Sequence, residues 1–335
     1  ATPAAPGLPL HPAAALQLGD MVRGWLRDGV CLAGRDLAGA SLAGANFNGA
    51  DLREVLLEGA DLCGASLAGA NLQRAVLSGA CLDGADLSHA DLAGANLSAS
   101  SGRAVRFRHA NLRGATAIGA SWPQADLTGA TLDDLIAPRL DLERAILDDI
   151  SARRTLLLDA RADGSSWRRA TLEQTMLLRA SLRHSDWRAA TLTKAVLIEA
   201  DMRASRWDGA RWLAVQATGT ASWQDATLCG VRADACGLHG SSWVAADLRG
   251  AQFLRCDFGS CDMRHARLDD GVFSHSLFMR SRLHCVSAQR ADFYQALCRK
   301  TDFCGADLTG ASFVRCELSE SVAPDGRIAR PRKAA

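Results

Sequence analysis

The chain has 335 residues, a formal net charge of +1, 22% charged residues and 48% hydrophobic residues. This balance excludes an intrinsically disordered chain, which combines low hydrophobicity with a high net charge. No stretch approaches the ~20 apolar residues of a membrane span and no signal peptide is visible, so we expect a cytoplasmic protein without a membrane partner. The 11 cysteines show no metal-binding spacing, and we expect free buried thiols and no cofactor.

The first 29 residues divide into two short segments. Residues 1–11 are rich in Ala and Pro, which is typical of an interdomain linker or a trimmed chain and leaves room for a further domain before Ala1. In residues 12–29, apolar side chains fall on one helical face behind a proline suited to a first turn: Leu18, Met21, Val22, Trp25 and Leu26. We predict a helix here that caps the apolar interior of the segment that follows.

Residues 30–320 repeat every five positions. The centre of each unit is a bulky apolar residue, a small residue stands two positions earlier, and Asp or Asn often lies between them, as in Ala50-Asp51-Leu52. Gly often follows two positions after the centre, where a corner needs dihedral angles that other residues resist. The frame slips by one residue near 219–221, which leaves 38 units before the slip and 20 after it.

A period of five matches neither a helix, at about 3.6 residues, nor a plain strand, at about 2. It fits a short strand followed by a corner, in which the small and the bulky residue point to one side and the residue between them points outward. Such a unit cannot bury its apolar side alone, so the chain must wind into coils that stack on one another.

The size of one coil follows from the aromatic residues, because similar rings recur at intervals of 20, or four units. We expect these rings to form stacked ladders in the core. The ladders are Trp167, Trp187 and Trp207, then Phe253, Phe273, Phe293 and Phe313, and then Phe258 and Phe278. Four-sided coils of this kind number about 14, and at ~4.8 Å per coil they predict an all-β rod on the order of 70 Å long.

The repeat is less regular between residues 98 and 166. Gly102 stands where a centre is due, and in Leu135/Ala137 the bulky and small residues have exchanged places. Exchange keeps the volume of the pair, which favours compensation within the core over a loop. Several tryptophans carry Ser two positions earlier, which we attribute to steric matching, with a tryptophan groove for a ligand as the alternative: Ser165, Ser185, Ser205 and Ser241.

Charge is uneven along the chain. Residues 31–100 carry 8 acidic and 3 basic residues, whereas residues 151–200 carry 5 acidic and 9 basic residues. The basic stretch makes arginines of the middle region our candidate partner surface: Arg153, Arg154, Arg161, Arg168, Arg169, Arg179, Arg183 and Arg188.

Residues 321–335 form a basic tail after the last full unit, and nothing in them resembles an apolar cap. An uncapped coil exposes apolar interior and unpaired strand edges. This end is therefore a candidate for a homodimer contact or a partner, and a flexible basic tail is the alternative.

The segments ANFNGADL, EGADLCGASLAGANL and CGADLTGASF resemble the pentapeptide-repeat family, whose motif is A(D/N)LxG, and the resemblance covers residues 30–320. It implies a right-handed quadrilateral β-helix. Long Ala/Leu-rich arrays of this family are also similar to parts of accessory proteins of bacterial type VI secretion systems. That likeness implies a protein-interaction scaffold or adaptor that helps to load an effector onto the secretion spike.

Three other functions fit the sequence less well than a scaffold. Some members of the family protect DNA gyrase from topoisomerase poisons by imitating duplex DNA, but only the first third of this chain has the acidic charge that this requires. Binding of nucleic acid is disfavoured because the net charge is near zero and the tryptophans belong to the core. No catalytic motif is present, so we expect a protein that is not an enzyme.

Overall fold

The computed structural model describes residues 10–328, and the chain divides into two compact units that meet in sequence at Ser166 and Trp167. Within each unit, parallel bridges join residues 20 apart, such as Asp51 with Asn71 and Asp262 with Arg282. Successive bridges start five residues apart, so that each coil has four sides. The right-handed quadrilateral β-helix predicted from the sequence is confirmed.

One unit of the repeat shows why this sequence forms a coil. Ala70 and Leu72 are fully buried, whereas Asn71 between them lies on the outside. The amide of Leu72 donates to the carbonyl of Asp91 in one neighbouring coil (2.7 Å), and the amide of Asn71 donates to Ala50 in the other (2.9 Å). Each side is therefore hydrogen-bonded in both directions, as in a continuous parallel sheet.

The corners adopt a left-handed conformation whether or not the residue is glycine. Gly49 has φ 66°, but Glu54 (φ 57°) and Arg154 (φ 51°) occupy the same position of their units. A left-handed non-glycine residue costs about 1–2 kcal/mol. The hydrogen bonds between coils therefore impose the corner on residues that would not choose it.

The helix α1 (Pro12–Arg27) covers the N-terminal edge of the first unit, as predicted. The carbonyl of Ala15 accepts a hydrogen bond from the Ser41 amide (3.0 Å), so the helix satisfies a backbone donor at the edge of the first coils. Val22 and Gly19 are the buried positions, whereas Met21, which the sequence placed on the buried face, is 48% exposed. Gly19 makes the buried contact instead, because α1 lies so close to the coil there that a side chain would not fit.

Irregular units are compensated within the core of the first unit. A Cβ on Gly102 would lie 2.9 Å from the Trp122 ring, one coil further on, so the large ring fills the space that the glycine leaves. Leu135 and Ala137, the exchanged pair, are both fully buried. The chain forms no loop at either place.

Three-residue strands occur in only part of the described chain: β1 (Ser151–Arg153), β2 (Thr171–Glu173), β3 (Thr191–Thr193), β4 (Arg211–Leu213), β5 (Arg232–Asp234) and β6 (Gln252–Leu254). These strands span about five turns, so regular strand is present in about five turns and not in all of the 14 coils expected from the sequence. The other coils are joined by single bridges. In the second unit, β2 to β6 pair in chain order, all parallel.

The register slip adds one residue to a single coil of the second unit. Thr191 pairs with Arg211, 20 residues later, but Arg211 pairs with Arg232, 21 residues later. The interval returns to 20 between Arg232 and Gln252. The extra residue lies at a corner near Gly219, so the core positions on both sides keep their phase.

The C-terminal coil differs from the others in leaving its interior open. Leu308, Phe313 and Leu318 are half-buried, although they occupy centre positions. After them Val322 and Ile328 form an antiparallel bridge. The rest of the predicted basic tail, and most of the predicted linker 1–11, lie outside the described residues.

The expectation of free buried thiols is wrong for several cysteines. Cys63 and Cys81 form a disulfide, and Cys31 and Cys285 are exposed. Cys63 follows one centre and Cys81 precedes the centre one coil later, and such diagonal neighbours face each other outside the core. Among residues 10–328, no helix has the length and apolarity needed to cross a membrane.

Two glycines of α1 give opposite predictions for the same substitution. In Gly19→Ala the new Cβ would lie 2.0 Å from the Ser41 carbonyl oxygen, whereas at Gly24 nothing lies within 4 Å. We expect Gly19→Ala to lower the free energy of unfolding of α1 from the coil by about 1–3 kcal/mol. Gly24→Ala should raise it by about 0.5–1 kcal/mol, and hydrogen exchange of the α1 amides measures both. Equal effects of the two changes would contradict this packing.

Candidate interaction surface

The predicted aromatic ladders lie inside the second unit. Trp167, Trp187 and Trp207 stack in parallel with centroid distances of 4.5 and 4.7 Å. Phe258 and Phe278 stack at 5.1 Å. The remaining ladder has three stacked contacts, at 6.0, 5.4 and 4.9 Å, along Phe253, Phe273, Phe293 and Phe313. Except for the half-buried Phe313, these rings are buried, so they form no groove for a ligand.

The serines before the tryptophans are there for hydrogen bonding, which the sequence analysis missed. The Trp187 indole N–H donates to Ser185 Oγ (2.8 Å), and the Ser185 hydroxyl donates to the Leu182 carbonyl. The indole N–H groups of Trp207 and Trp243 likewise donate to the hydroxyl oxygens of Ser205 and Ser241, each at 2.8 Å. A buried indole N–H needs such a partner because leaving it unpaired costs about 1–3 kcal/mol. These bonds belong to the core and not to a binding site.

The same rule identifies two incomplete positions. The buried indole nitrogens of Trp212 and Trp223 have no hydrogen-bond partner in the structure. Their units carry alanine, Ala210 and Ala221, where the units of Trp167, Trp187, Trp207 and Trp243 carry serine. Trp122 also follows an alanine, but its indole N–H donates to Ser100 of the preceding coil (3.0 Å). The amide of Ala210 donates to the Trp207 carbonyl (2.8 Å), as the Ser185 amide does to Leu182, so the backbone around Ala210 matches that of a serine unit.

Ala210→Ser should therefore stabilise the protein. The new hydroxyl can accept the Trp212 indole N–H, and we expect a gain of about 1 kcal/mol in free energy of unfolding. The control is Ala170→Ser, which places a buried hydroxyl before Leu172 and one coil below Leu192, where there is no indole to pair with, and should give no gain. Urea unfolding measures both, and an equal response of the two variants would sink the proposed pairing.

The arginines of the candidate partner surface do not form one patch. In the first unit, Arg153 and Arg154 lie on one side of the coil and Arg161 on another. In the second unit the arginines occupy three sides: Arg168, Arg169 and Arg188 share one, Arg179 lies on the second and Arg183 on the third. Sequence proximity was misleading because every fifth residue turns a corner.

Several of these arginines are held by aspartates of the same coil or of a neighbouring one. Arg168 and Arg188 both contact Asp186, each at 2.7 Å, and Arg183 contacts Asp201 at 2.7 Å. In the first unit Arg154 contacts Asp134 at 2.7 Å. The basic residues of this region are therefore largely neutralised where they lie, which weakens their case as a charged docking surface.

Asp186 is the most perturbed of these carboxylates. Burial raises the pKa of Asp186, but hydrogen bonds from Arg188 and Arg168 outweigh burial, and the pKa falls from 3.8 to about 2. The carboxylate therefore stays ionised between the two guanidinium groups. This pattern describes a structural ion pair.

The Asp186 cluster predicts a pH dependence. Because the folded-state pKa lies below the unfolded-state value, the stabilisation is fully present above about pH 4 and is lost as the pH falls through about 2. Asp186→Asn should thus lower the free energy of unfolding at pH 7, and its difference from the wild type should shrink between about pH 4 and pH 2. Urea unfolding at a series of pH values measures this difference. A difference of the same size at pH 2 and pH 7 would rule out the ion pair as its source.

Apolar side chains project outward from one side of the first unit. Bridges stack Thr116, Ile136 and Leu156 on consecutive coils. The residues two positions later flank them, and together they make up what we call the first apolar face: Ile118, Ile136, Pro138, Leu156 and Leu158. Ile118 and Ile136 are 37% and 43% exposed. In the coils before them, the column of Ile136 contains both polar and apolar residues: Asp36, Leu56, Val76, Asn96 and Thr116.

The second unit has a comparable surface, which we call the second apolar face. Met176 and Val196 are bridged on consecutive coils, with Leu178 and Ile198 two residues later, and all four are half-buried. Sequence analysis missed both faces because it followed only the inward positions. The signal was present as apolar residues on both flanks of Ala137, Leu157, Leu177 and Leu197.

Two clusters of residue types that bind metals lie on the outside of the coils. Asp61, Cys63 and Cys81 form one in the first unit, and His284, Asp302 and Cys304 form the other in the second. In each, the possible ligand atoms lie within 4.8 Å of one another. Neither was predicted, because residues 18 and 20 apart meet only after the chain has wound through one coil.

The sequence profile of the pentapeptide repeats matches the chain in eight copies, over residues 29–59, 57–92, 80–116, 110–149, 235–270 and 289–322. The chain belongs to the pentapeptide-repeat family. The family assignment rests on this match, which spans more than half of the chain and agrees with the coil geometry. No curated protein sequence matches the chain significantly.

Solved pentapeptide-repeat proteins are similar to the chain at low superposition scores. HetL from Nostoc sp. strain PCC 7120, described as involved in heterocyst differentiation regulation, is 27% identical over 77% of this chain and 91% of its own (TM-score 0.22). A protein from the Arabidopsis thaliana thylakoid lumen is 38% identical over 31% and 66% (TM-score 0.18). The plasmid-mediated fluoroquinolone resistance protein QnrB1 is 16% identical over 62% and 86% (TM-score 0.25).

Proposed function

We propose that this pentapeptide-repeat protein is a non-enzymatic interaction scaffold that binds a partner protein through the first apolar face. The observation that carries this proposal is the outward position of Ile118 and Ile136, which the coil could have filled with the Asp, Asn or Ser found elsewhere. A group of exposed apolar side chains on a rigid surface is typical of a site for protein contact.

The backbone around the first apolar face supports a rigid binding site. The amides of Ile136 and Leu156 donate to carbonyls of the preceding coil at 3.0 and 2.9 Å. The two side chains therefore lie one coil apart on a rigid backbone. The scaffold would lose little conformational entropy when a partner binds there. Burial of apolar surface there supplies about 25 cal/mol per Å².

The nature of the occupant follows from the flatness and charge of the first apolar face. A β-surface presents no enclosed cavity of the kind that holds a small molecule. At its corners Arg139 and Asp159 carry opposite charges, so the face lacks the basic surplus that attracts anionic lipid or nucleic acid. A protein surface with its own apolar patch is the occupant that this chemistry favours.

The partner we propose is a secretion spike protein or effector of a type VI system, in keeping with the adaptor-like character of the long Ala/Leu-rich array. The proposed setting is the cytoplasm. The Cys63–Cys81 disulfide argues against that setting, because disulfides persist mainly in oxidising compartments. A homodimer through the half-exposed Phe313 and Leu318 of the last coil is part of the same proposal.

The second candidate partner is DNA gyrase, bound by imitation of duplex DNA, and the acidic surplus of residues 31–100 favours it. An arginine from outside this range reduces that surplus, because Arg106 contacts Asp86 at 3.0 Å. QnrB1 is named for fluoroquinolone resistance, but at 16% identity its likeness does not carry a partner over to this chain. We therefore rank gyrase below a secretion partner.

The scaffold proposal predicts that a charge on the first apolar face abolishes binding. Ile136→Glu and Leu156→Glu should each weaken the affinity for the spike protein or effector encoded nearest the gene by at least ~10-fold, because each buries an unpaired carboxylate. Affinity is measured by calorimetry with the purified partner.

Ile146→Glu is the matched control. Ile146 holds the same place in its unit and is 42% exposed, against 43% for Ile136, but it stands alone between Asp126 and Ser166 on another side of the coil. It should leave the affinity unchanged. Equal losses for Ile136→Glu and Ile146→Glu would contradict the assigned face. Inhibition of gyrase supercoiling at micromolar protein, with no binding to either secretion partner, would replace the proposal with the second candidate.

A further inference from the structure

The cluster of His284, Asp302 and Cys304 combines three ligand types at one place on the outside of the second unit. Asp302 and Cys304 flank the core residue Phe303 on one coil, and His284 lies one coil earlier, directly beneath Cys304. Their ligand atoms lie within 4.8 Å of one another, and all three side chains are half-buried. The three groups can therefore reach one common point.

The backbone holds these side chains in fixed register. The Cys285 amide donates to the Cys304 carbonyl at 2.9 Å, and the Leu283 amide donates to the Asp302 carbonyl at 2.7 Å. The Asp302 carboxylate also accepts the Cys304 amide through Oδ1 (2.9 Å), which leaves Oδ2 free to turn toward a ligand. A hydrogen-bonded carboxylate of this kind is a common feature of built metal sites.

We propose that His284, Asp302 and Cys304 bind a Zn²⁺ ion. Thiolate, imidazole and carboxylate are the zinc ligands of proteins, and tetrahedral zinc separates its ligand atoms by about 3.3–3.8 Å. Small side-chain rotations reach that spacing from the distances present. Three protein ligands leave a fourth position for a water molecule or for a group of a partner.

Charge supports zinc at this place. The Cys304 thiol loses its proton to solvent on binding, and the thiolate and the Asp302 carboxylate together neutralise the two charges of the ion. Arg282 lies on the coil below Asp302 and is bridged to it through the backbone. The guanidinium of Arg264, one coil further down, is turned to Asp262 at 2.7 Å.

Two other places on the chain show what the site requires. His239, Asp257 and Gly259 occupy equivalent positions on another side of the second unit, with His239 Nδ1 3.8 Å from Asp257, but glycine replaces the cysteine. In the first unit, Cys63 and Cys81 beside Asp61 are joined to each other, so their sulfurs are not free to bind a metal. Only the cluster at Cys304 combines a histidine, a carboxylate and a free thiol among the described residues.

The proposed zinc would join two consecutive coils next to the open C-terminal end. His284 belongs to one coil, and Asp302 and Cys304 belong to the next, whose successor has the half-exposed centres Leu308 and Phe313. A metal that binds only the folded arrangement stabilises it. We therefore expect zinc to act as a clip for the last coils.

The test measures zinc bound by the purified full chain. All proteins carry Cys63→Ser and Cys81→Ser, so that reduction exposes no second cluster. After treatment with chelator and dialysis against micromolar Zn²⁺, this parent should retain one more zinc per chain than Cys304→Ser or His284→Ala, as measured by mass spectrometry. With Co²⁺ the parent should show a thiolate charge-transfer band in the near ultraviolet, and Cys304→Ser should not.

His239→Ala is the control variant, because it removes a histidine from the equivalent position without a cysteine, and it should bind as much zinc as the parent. Asp302→Asn keeps the side-chain size and should weaken zinc binding at least ~10-fold. Because this change preserves the packing, a loss of zinc in Asp302→Asn cannot be attributed to unfolding. Zinc should also raise the melting temperature of the parent and leave that of Cys304→Ser unchanged. A parent that retains no zinc, or a Cys304→Ser protein that retains as much as the parent, would overturn the proposal.

Discussion

Hydrogen bonding between coils is the interaction on which the rest of the structure depends. The amide of each centre donates to one neighbouring coil, as from Leu72 to Asp91, and the amide before it donates to the other, as from Asn71 to Ala50. Because these bonds require the same register on every side, residue n lies against residue n+20 in the parallel bridges of each unit. Among the described parallel bridges the interval rises to 21 near Gly219, where a corner takes up the extra residue and the register is restored one coil later.

Because of that register, residues 20 apart lie directly above one another and form a column along the coils. Contacts within and between these columns, and not contacts between sequence neighbours, decide the packing and the chemistry of the surface. Inside, Trp122 fills the space above Gly102 and the tryptophan ladder stacks ring on ring. Outside, diagonal neighbours 18 apart form ion pairs such as Arg168 with Asp186, and a disulfide between Cys63 and Cys81. A property that matters for function, such as the first apolar face, therefore arises from residues spread over 40 positions of the chain.

The outward columns vary while the inward ones do not, which is how a scaffold of this fold acquires specificity. The inward pair must fill a tube of fixed width, so Ala, Leu and aromatic residues recur there. The outward positions have no such requirement, and they change from acidic to apolar to Arg–Asp pairs along the chain. The proposed protein-binding face and the proposed zinc clip both belong to these unconstrained columns, and neither disturbs the core.

The sequence by itself determined the coil, because a five-residue period with small and bulky apolar positions can be buried only by four-sided stacking, and the 20-residue spacing of the rings fixed the number of sides. It also determined the capping helix, although it placed Met21 where Gly19 makes the contact. Only the tertiary structure decided which outward residues meet. The arginines from Arg153 to Arg188 are close in sequence but lie on different sides, whereas His284 and Cys304 are distant in sequence but adjacent. The physical reason is that each corner redirects the next strand, so proximity is set by the winding of the backbone and not by the distance along it.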